Sequence, residues 1–121
     1  MYTLDIFRKN KINYSWSTVF VGRKLELLFP VEVSKYAVEY FVNHPDCRDS
    51  AIAELAYGVP TEQINELIKK VIKNIKDLSV EKDGPVWNLE KRKWRYCILT
   101  SLVQEITDHS ILLDKISEAY S

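Results

Sequence analysis

The chain has 121 residues, 46% hydrophobic, 28% charged and 12% aromatic, with only three glycines and four prolines. That length is one ordinary domain able to bury roughly two-thirds of its unfolded surface, so no metal or disulfide is needed to hold it together. The composition excludes a disordered chain, and a formal net charge of zero argues against a protein that grips nucleic acid by a global basic excess.

The first 25 residues admit two readings. Ile12, Tyr14, Trp16 and Phe20 alternate with Asn13, Ser15 and Ser17, as a strand would. Alternatively Ser15 caps a short helix that Gly22 ends. The helix is preferred, because no second convincing strand is available to pair with.

Pro30 is well placed as the first residue of a second helix. Between residues 31 and 43 only Glu32, Ser34, Lys35, Glu39 and Asn43 are polar, which predicts a central helix buried on most of its circumference. Asp46 with Asp49 three residues later resembles a capping box. Ala51, Ile52, Leu55 and Ala56 follow as a buried stripe, and Gly58 stops that helix ahead of Pro60.

The clearest element covers residues 61–78. Ile64, Leu67, Ile68, Val71, Ile72, Ile75 and Leu78 recur at three- and four-residue steps, so they share one helical face. Thr61 can cap it, Glu62 and Glu66 occupy the early turns, and Lys69, Lys70, Lys73 and Lys76 follow, an order that suits the helix dipole. Glu66 and Lys70 form a favourable i,i+4 pair. Residues 81–85 read as a turn. Asn88 is expected to cap a helix reaching Ile106, with Leu99, Leu102, Val103 and Ile106 facing the core. Asp108 is expected to cap a last helix carrying Ile111, Leu112, Ile116, Ala119 and Tyr120. The expected fold is therefore all-α, one compact domain over residues 1–121 with five to six helices.

The charges are blocky. Residues 1–24 hold five basic and one acidic group, residues 25–66 two and eight, residues 67–95 nine and four, and residues 96–121 one and four. Such blocks are either solvated helix faces or surfaces that steer partners.

No catalytic site is legible. His44 and Cys47 lie three apart, but a structural zinc site needs four ligands, and only Cys97 and His109 remain to complete it. His44 therefore reads as an exposed residue at a helix terminus. Cys97, in an apolar run, reads as a small buried hydrophobe, and Cys47 lacks any evident base or oxyanion hole beside it. With only Gly22, Gly58 and Gly84, a phosphate cradle is almost excluded. No catalytic residue, metal or cofactor is expected. The basic run Lys91, Arg92, Lys93, Trp94, Arg95 and Tyr96 is the one stretch that suggests nucleic acid, with rings to stack on bases. It competes with a reading in which Trp94 is core and the basic stems lie over apolar surface. Nucleic acid is disfavoured as a partner, and no apolar run suggests a membrane span. The first residues lack a basic-then-apolar leader, so a cytoplasmic setting is expected.

The segment Ser15-Trp16-Ser17-Thr18-Val19-Phe20-Val21-Gly22, with Leu27-Leu28 and then Val31-Glu32-Val33-Ser34-Lys35-Tyr36-Ala37, resembles small uncharacterised bacterial helical proteins of toxin–immunity loci. Contact-dependent inhibition systems are among those loci. The resemblance implies a small cytoplasmic protein, not an enzyme, that neutralises a cognate toxin domain by stoichiometric binding; no functional residues carry over. Were the toxin a nuclease with a basic cleft, the acidic block would be the contact face, with Glu32, Glu39, Asp46 and Asp49 as candidates. A small regulatory or interaction module touching nucleic acid through residues 91–95 is the alternative.

Overall fold

The computed structural model describes residues 1–76 and 80–120, except the side chains of 76 and 108–120. Among the described residues the chain forms six helices: α1 (Asp5–Lys9), α2 (Trp16–Lys24), α3 (Pro30–Asn43), α4 (Ser50–Tyr57), α5 (Thr61–Lys76) and α6 (Pro85–Tyr120). The expected all-α domain is what the chain builds. The 61–78 helix is present as α5, with Ile64, Leu67, Ile68, Val71 and Ile72 buried and Ile75 emerging at its end. Leu78 lies outside the described residues. Glu66 pairs with Lys69 at 3.7 Å.

The central helix is α2. Every residue from Trp16 to Arg23 is buried, and α2 packs against both α5 and α6. Ser15 caps it in a reciprocal capping box with Thr18, whose hydroxyl accepts the Ser15 N–H at 3.0 Å. Two of its buried polar side chains find internal partners, although the Trp16 indole N–H and the Arg23 Nε do not. The Thr18 hydroxyl donates to Glu90 at 2.6 Å, and an Arg23 guanidinium N–H donates to the Leu28 carbonyl at 2.6 Å. Burial without such partners would be costly.

Gly22 does not end α2, as its position predicted. It lies within the helix, where Trp94 of α6 packs closely against it: a Cβ there would sit 2.3 Å from the Trp94 Cζ2. Trp94 is fully buried, and its indole N–H donates to the Thr18 carbonyl at 2.9 Å. Trp16 and Trp87 are buried as well.

The N-terminal segment runs alongside residues 27–29 through a single parallel bridge, Tyr2 with Leu28. Tyr2 N–H donates to the Leu27 carbonyl at 2.6 Å, and Phe29 N–H to the Tyr2 carbonyl at 3.1 Å. Pro30 opens α3 as expected. The helix is not buried on most of its circumference, however. It packs on α4 and on α5, and leaves Val31, Val38 and Val42 exposed. The N-cap of α4 is Asp49 itself, not Asp46: its carboxylate accepts the N–H groups of Ala51 at 2.8 Å and Ile52 at 3.2 Å. Gly58 ends α4 with φ at 109°, a conformation that favours glycine.

The largest departure from the sequence reading is α6. It begins at Pro85, three residues before Asn88, and runs unbroken through Asp108 for 36 residues, about 54 Å at 1.5 Å per residue. Asp108 therefore caps nothing; the side chains of Ile111, Leu112, Ile116, Ala119 and Tyr120 lie outside the described residues. Leu99, Leu102, Val103 and Ile106 are exposed rather than core-facing. The core takes Trp87, Trp94 and Cys97 from this helix.

Gly22 makes a measurable case. In an open helix Ala would be better than Gly by about 0.5–1 kcal/mol, but here the added methyl meets the Trp94 ring. Gly22→Ala is expected to cost roughly 1–3 kcal/mol through overpacking, lowering the thermal midpoint by several degrees. A midpoint equal to or above the wild type, followed by circular dichroism, would contradict this packing.

Candidate functional site

A cleft of about 600 Å³ opens between α1, residues 11–14 and α3, lined mainly by Phe7, Arg8, Tyr14, Tyr36, Glu39, Tyr40 and His44. Tyr36, Tyr40 and His44 come from α3 at four-residue steps, so they stack along one side of that helix. Tyr14 arrives from the extended segment before α2 and Arg8 from α1.

The rings form a continuous chain. Trp94 in the core meets Phe7 edge-on at 4.7 Å, Phe7 meets Tyr14 at 6.1 Å, and Tyr14 meets Tyr36 at 5.7 Å. Tyr36 and Tyr40 are 6.4 Å apart, and the His44 ring stacks on Tyr40 at 4.0 Å. Each such pair contributes about 0.5–1.5 kcal/mol beyond simple burial, so the cleft wall is a rigid extension of the core.

A polar network sits across its mouth. Arg8 Nε donates to the Tyr14 hydroxyl at 3.0 Å, and that hydroxyl donates to Glu39 at 2.9 Å. A second Arg8 nitrogen pairs with Glu39 at 3.1 Å, and another with Asp5. The guanidinium carbon also lies 5.5 Å from the Tyr14 ring centre. Partial burial acts to lower the Arg8 pKa, but its hydrogen bonds to Asp5, Tyr14 and Glu39 outweigh this and hold the group charged.

The tyrosines are held neutral. Burial, followed by hydrogen bonding to Glu39, pushes Tyr14 up, although Arg8 opposes it. Burial also pushes Tyr36 well above its ordinary value, with the Glu39 charge adding to it. Tyr40 is raised by burial and then by Cys47 and Asp49. None of the three supplies a phenolate near neutral pH. The cleft offers neutral hydroxyls, ring faces and one arginine already paired to a carboxylate, which suits recognition of side chains on a partner.

The four acidic candidates do not form one face. Glu39 lies in the cleft and Asp46 is exposed in the segment before α4. Glu32 is only 5% exposed and accepts the Leu4 N–H at 2.9 Å, with Lys35 at 3.5 Å, so it pins the N-terminal segment to α3. Asp49 is occupied in capping α4 and accepts from Asn74 at 3.3 Å. Missed by the sequence reading were Arg8, Tyr14, Tyr36 and Tyr40. The Tyr36, Tyr40, His44 spacing was visible, but it reads as ordinary helix packing until the loop carrying Tyr14 is placed beside it.

The other sequence candidates separate in space. His44 is exposed at the end of α3, while Cys97 is buried and its thiol is raised by burial against a smaller opposing effect of Lys93. Among the described residues no cluster of three or more metal-ligating side chains occurs, and no helix is long and apolar enough to cross a membrane. His109 lies outside the described side chains. In the basic run, Trp94 is core and Lys93 pairs with the buried Glu90 at 3.1 Å, so of the two rings proposed to stack on bases only Tyr96 is exposed. Because α6 starts at Pro85, residues 91–95 lie beyond its first turn, where the dipole penalty has largely faded. A second cleft, about 810 Å³, has Phe20, Ile72 and Trp87 in its floor and Lys24, Lys69, Lys73 and Lys82 around it.

The tyrosine environment predicts an alkaline response. Unfolded tyrosines ionise near pH 10, whereas the raised groups in the fold hold their protons longer. Their contribution is fully present below about pH 10 and is lost as pH rises through the folded values, because the unfolded state releases protons first. Tyr36→Phe is expected to flatten the fall in stability above about pH 10. Denaturant titrations at several alkaline pH values measure the slope; equal slopes in both proteins would refute the assignment.

Comparison with known proteins places one further fact beside this geometry. No curated protein and no solved structure matches the chain. Residues 4–121 match the model of an uncharacterised protein family conserved in bacteria (DUF2247), and with nearly its whole length covered the chain belongs to that family.

Proposed function

We propose that this chain is a non-catalytic protein-binding domain that acts by stoichiometric capture of a partner protein. In its specific form the proposal is an immunity protein that neutralises a cognate bacterial toxin domain in the cytoplasm. The observation that carries it is the outer side of α3. Val31, Val38 and Val42 are 50–74% exposed, and at 100° per residue they fall within about 40° of one another around the helix. Lys35 and then Glu39 border this stripe, and the tyrosine cleft lies further round the helix, beyond Glu39.

Exposed apolar side chains gathered in one stripe, bordered by a lysine and a carboxylate, are the kind of patch that marks a partner-binding surface. The surface is pre-organised, because the ring chain ties the other side of the same helix to the core and the Arg8–Tyr14–Glu39 network fixes Glu39 at its polar edge. Binding to it would carry a small ordering cost. Glu39 and Asp46 are the accessible acids for a basic partner such as a nuclease domain, while Glu32 and Asp49 serve the fold. The resemblance of residues 15–37 to immunity-locus proteins agrees with this reading.

The test is co-expression with the product of the adjacent gene, followed by affinity measurement and protection of cells making that product. The expected result is a one-to-one complex whose affinity falls at least about 30-fold in Val38→Glu/Val42→Glu, the size of a hot-spot loss. Both side chains are exposed, so the variant should keep the wild-type helical signal and melting behaviour. No complex and no protection would overturn the immunity role; a complex indifferent to these substitutions would overturn the α3 surface.

A further inference from the structure

The second cleft, about 810 Å³, opens where the end of α2, the second half of α5 and residues 80–87 meet. Its floor is apolar and firm, with Phe20, Ile72 and Trp87 each at most 5% exposed. Around that floor stand Lys24 from α2, Lys69 and Lys73 one turn apart on α5, and Lys82 from the turn before α6. Glu81 is the one acidic group among the described lining residues. Four cations gathered over one apolar surface create a positive field there. Lysine stems often cover apolar surface while their heads stay in water, but this cleft remains open with the stems in place.

The fold leaves several of these groups unused. Lys69 pairs with Glu66 at 3.7 Å, whereas among the described residues no carboxylate pairs with Lys24, Lys73 or Lys82. The indole N–H of Trp94 donates to the Thr18 carbonyl, but that of Trp87 has no protein acceptor among the described residues. A donor on so deeply set a side chain is normally satisfied by protein, water or a ligand.

We propose that this cleft binds a small amphipathic anion, its apolar body lying on Phe20, Ile72 and Trp87 and its carboxylate or phosphate head held among Lys24, Lys73 and Lys82. An apolar floor with a few convergent polar groups is the usual make-up of a small-molecule site. The charge complementarity selects the ligand. A bare anion would leave the floor unused, a neutral apolar molecule would leave the lysines without counter-charge, and a cationic amphiphile would be repelled. Lysines meet an oxyanion as mobile point charges, without the fixed fork of arginine, so either head is accepted. The site shares no lining residue with the tyrosine cleft or the α3 stripe, and it does not rest on the toxin reading.

The experiment is calorimetric titration of the intact chain with decanoate and with decyl phosphate, both below micelle-forming concentrations. Decyltrimethylammonium, inorganic phosphate and vesicles of anionic phospholipid serve as comparisons. Both amphipathic anions are expected to bind one to one, more weakly as salt rises. The decyl cation, with a similar tail and opposite charge, should bind at least about tenfold more weakly, and inorganic phosphate should not bind measurably. Lys73→Gln/Lys82→Gln is expected to weaken decanoate about three- to tenfold, because exposed charges contribute modestly one by one, with unchanged helical signal and melting. Decanoate should also change the tryptophan emission, and Trp87→Phe, with Trp16 and Trp94 intact, should lose that change. The proposal would be overturned by no binding of either anion, by equal affinity for the cationic amphiphile, or by inorganic phosphate binding as tightly as decyl phosphate. Adherence to vesicles without uptake of the monomeric anions, or an affinity indifferent to the two lysine substitutions, would overturn it as well.

Discussion

The seating of Trp94 on α2 is the contact on which the rest of the structure depends. Its ring occupies the space left by the missing Cβ of Gly22, its N–H is bonded to the Thr18 carbonyl, and the Thr18 hydroxyl is bonded in turn to Glu90 one turn earlier on α6. Three groups, two of them polar, thus lock residues more than seventy positions apart. The lock makes α2 the hub. It holds α6 on one side while α5 presents its apolar stripe on another. It also sets the position of the candidate site, since Phe7 packs edge-on against Trp94 and begins the ring chain that ends at His44.

That centre is built from residues that do not look like a core. Ser17, Thr18, Gly22 and Arg23 are buried in α2, whereas α3, with its near-continuous run of apolar residues, lies at the surface with three valines outward. The physical reason is that burial follows satisfied hydrogen bonds as well as apolar content. Thr18 and Arg23 found partners at 2.6 Å and could be enclosed. The valines of α3 met no neighbouring helix on their side.

Legibility in the sequence followed the same logic. The α5 helix, the Gly58 stop, the Pro30 start and the Ser15 cap were readable because each rests on local periodicity or local backbone chemistry. Gly22 was misread as a helix end because a glycine's reason can be tertiary, and nothing local reveals a tryptophan seventy residues away. In α6 the inner and outer stripes overlap in sequence, so Leu99, Val103 and Ile106 passed for core. The partners of Asp49 are its near neighbours, yet Asp46 looked the better cap. Of the candidate site only Glu39 was anticipated. The tyrosines were hidden because Tyr14 joins Tyr36 and Tyr40 only after the chain has folded back on itself.

The two exposed apolar stripes, on α3 and on α6, belong to different parts of the fold. The α3 surface rests on α4 and α5, while the α6 stripe rests on a helix held by α1 and α2. Substitutions on one stripe should therefore act independently of the other, as expected for sites that share no partners.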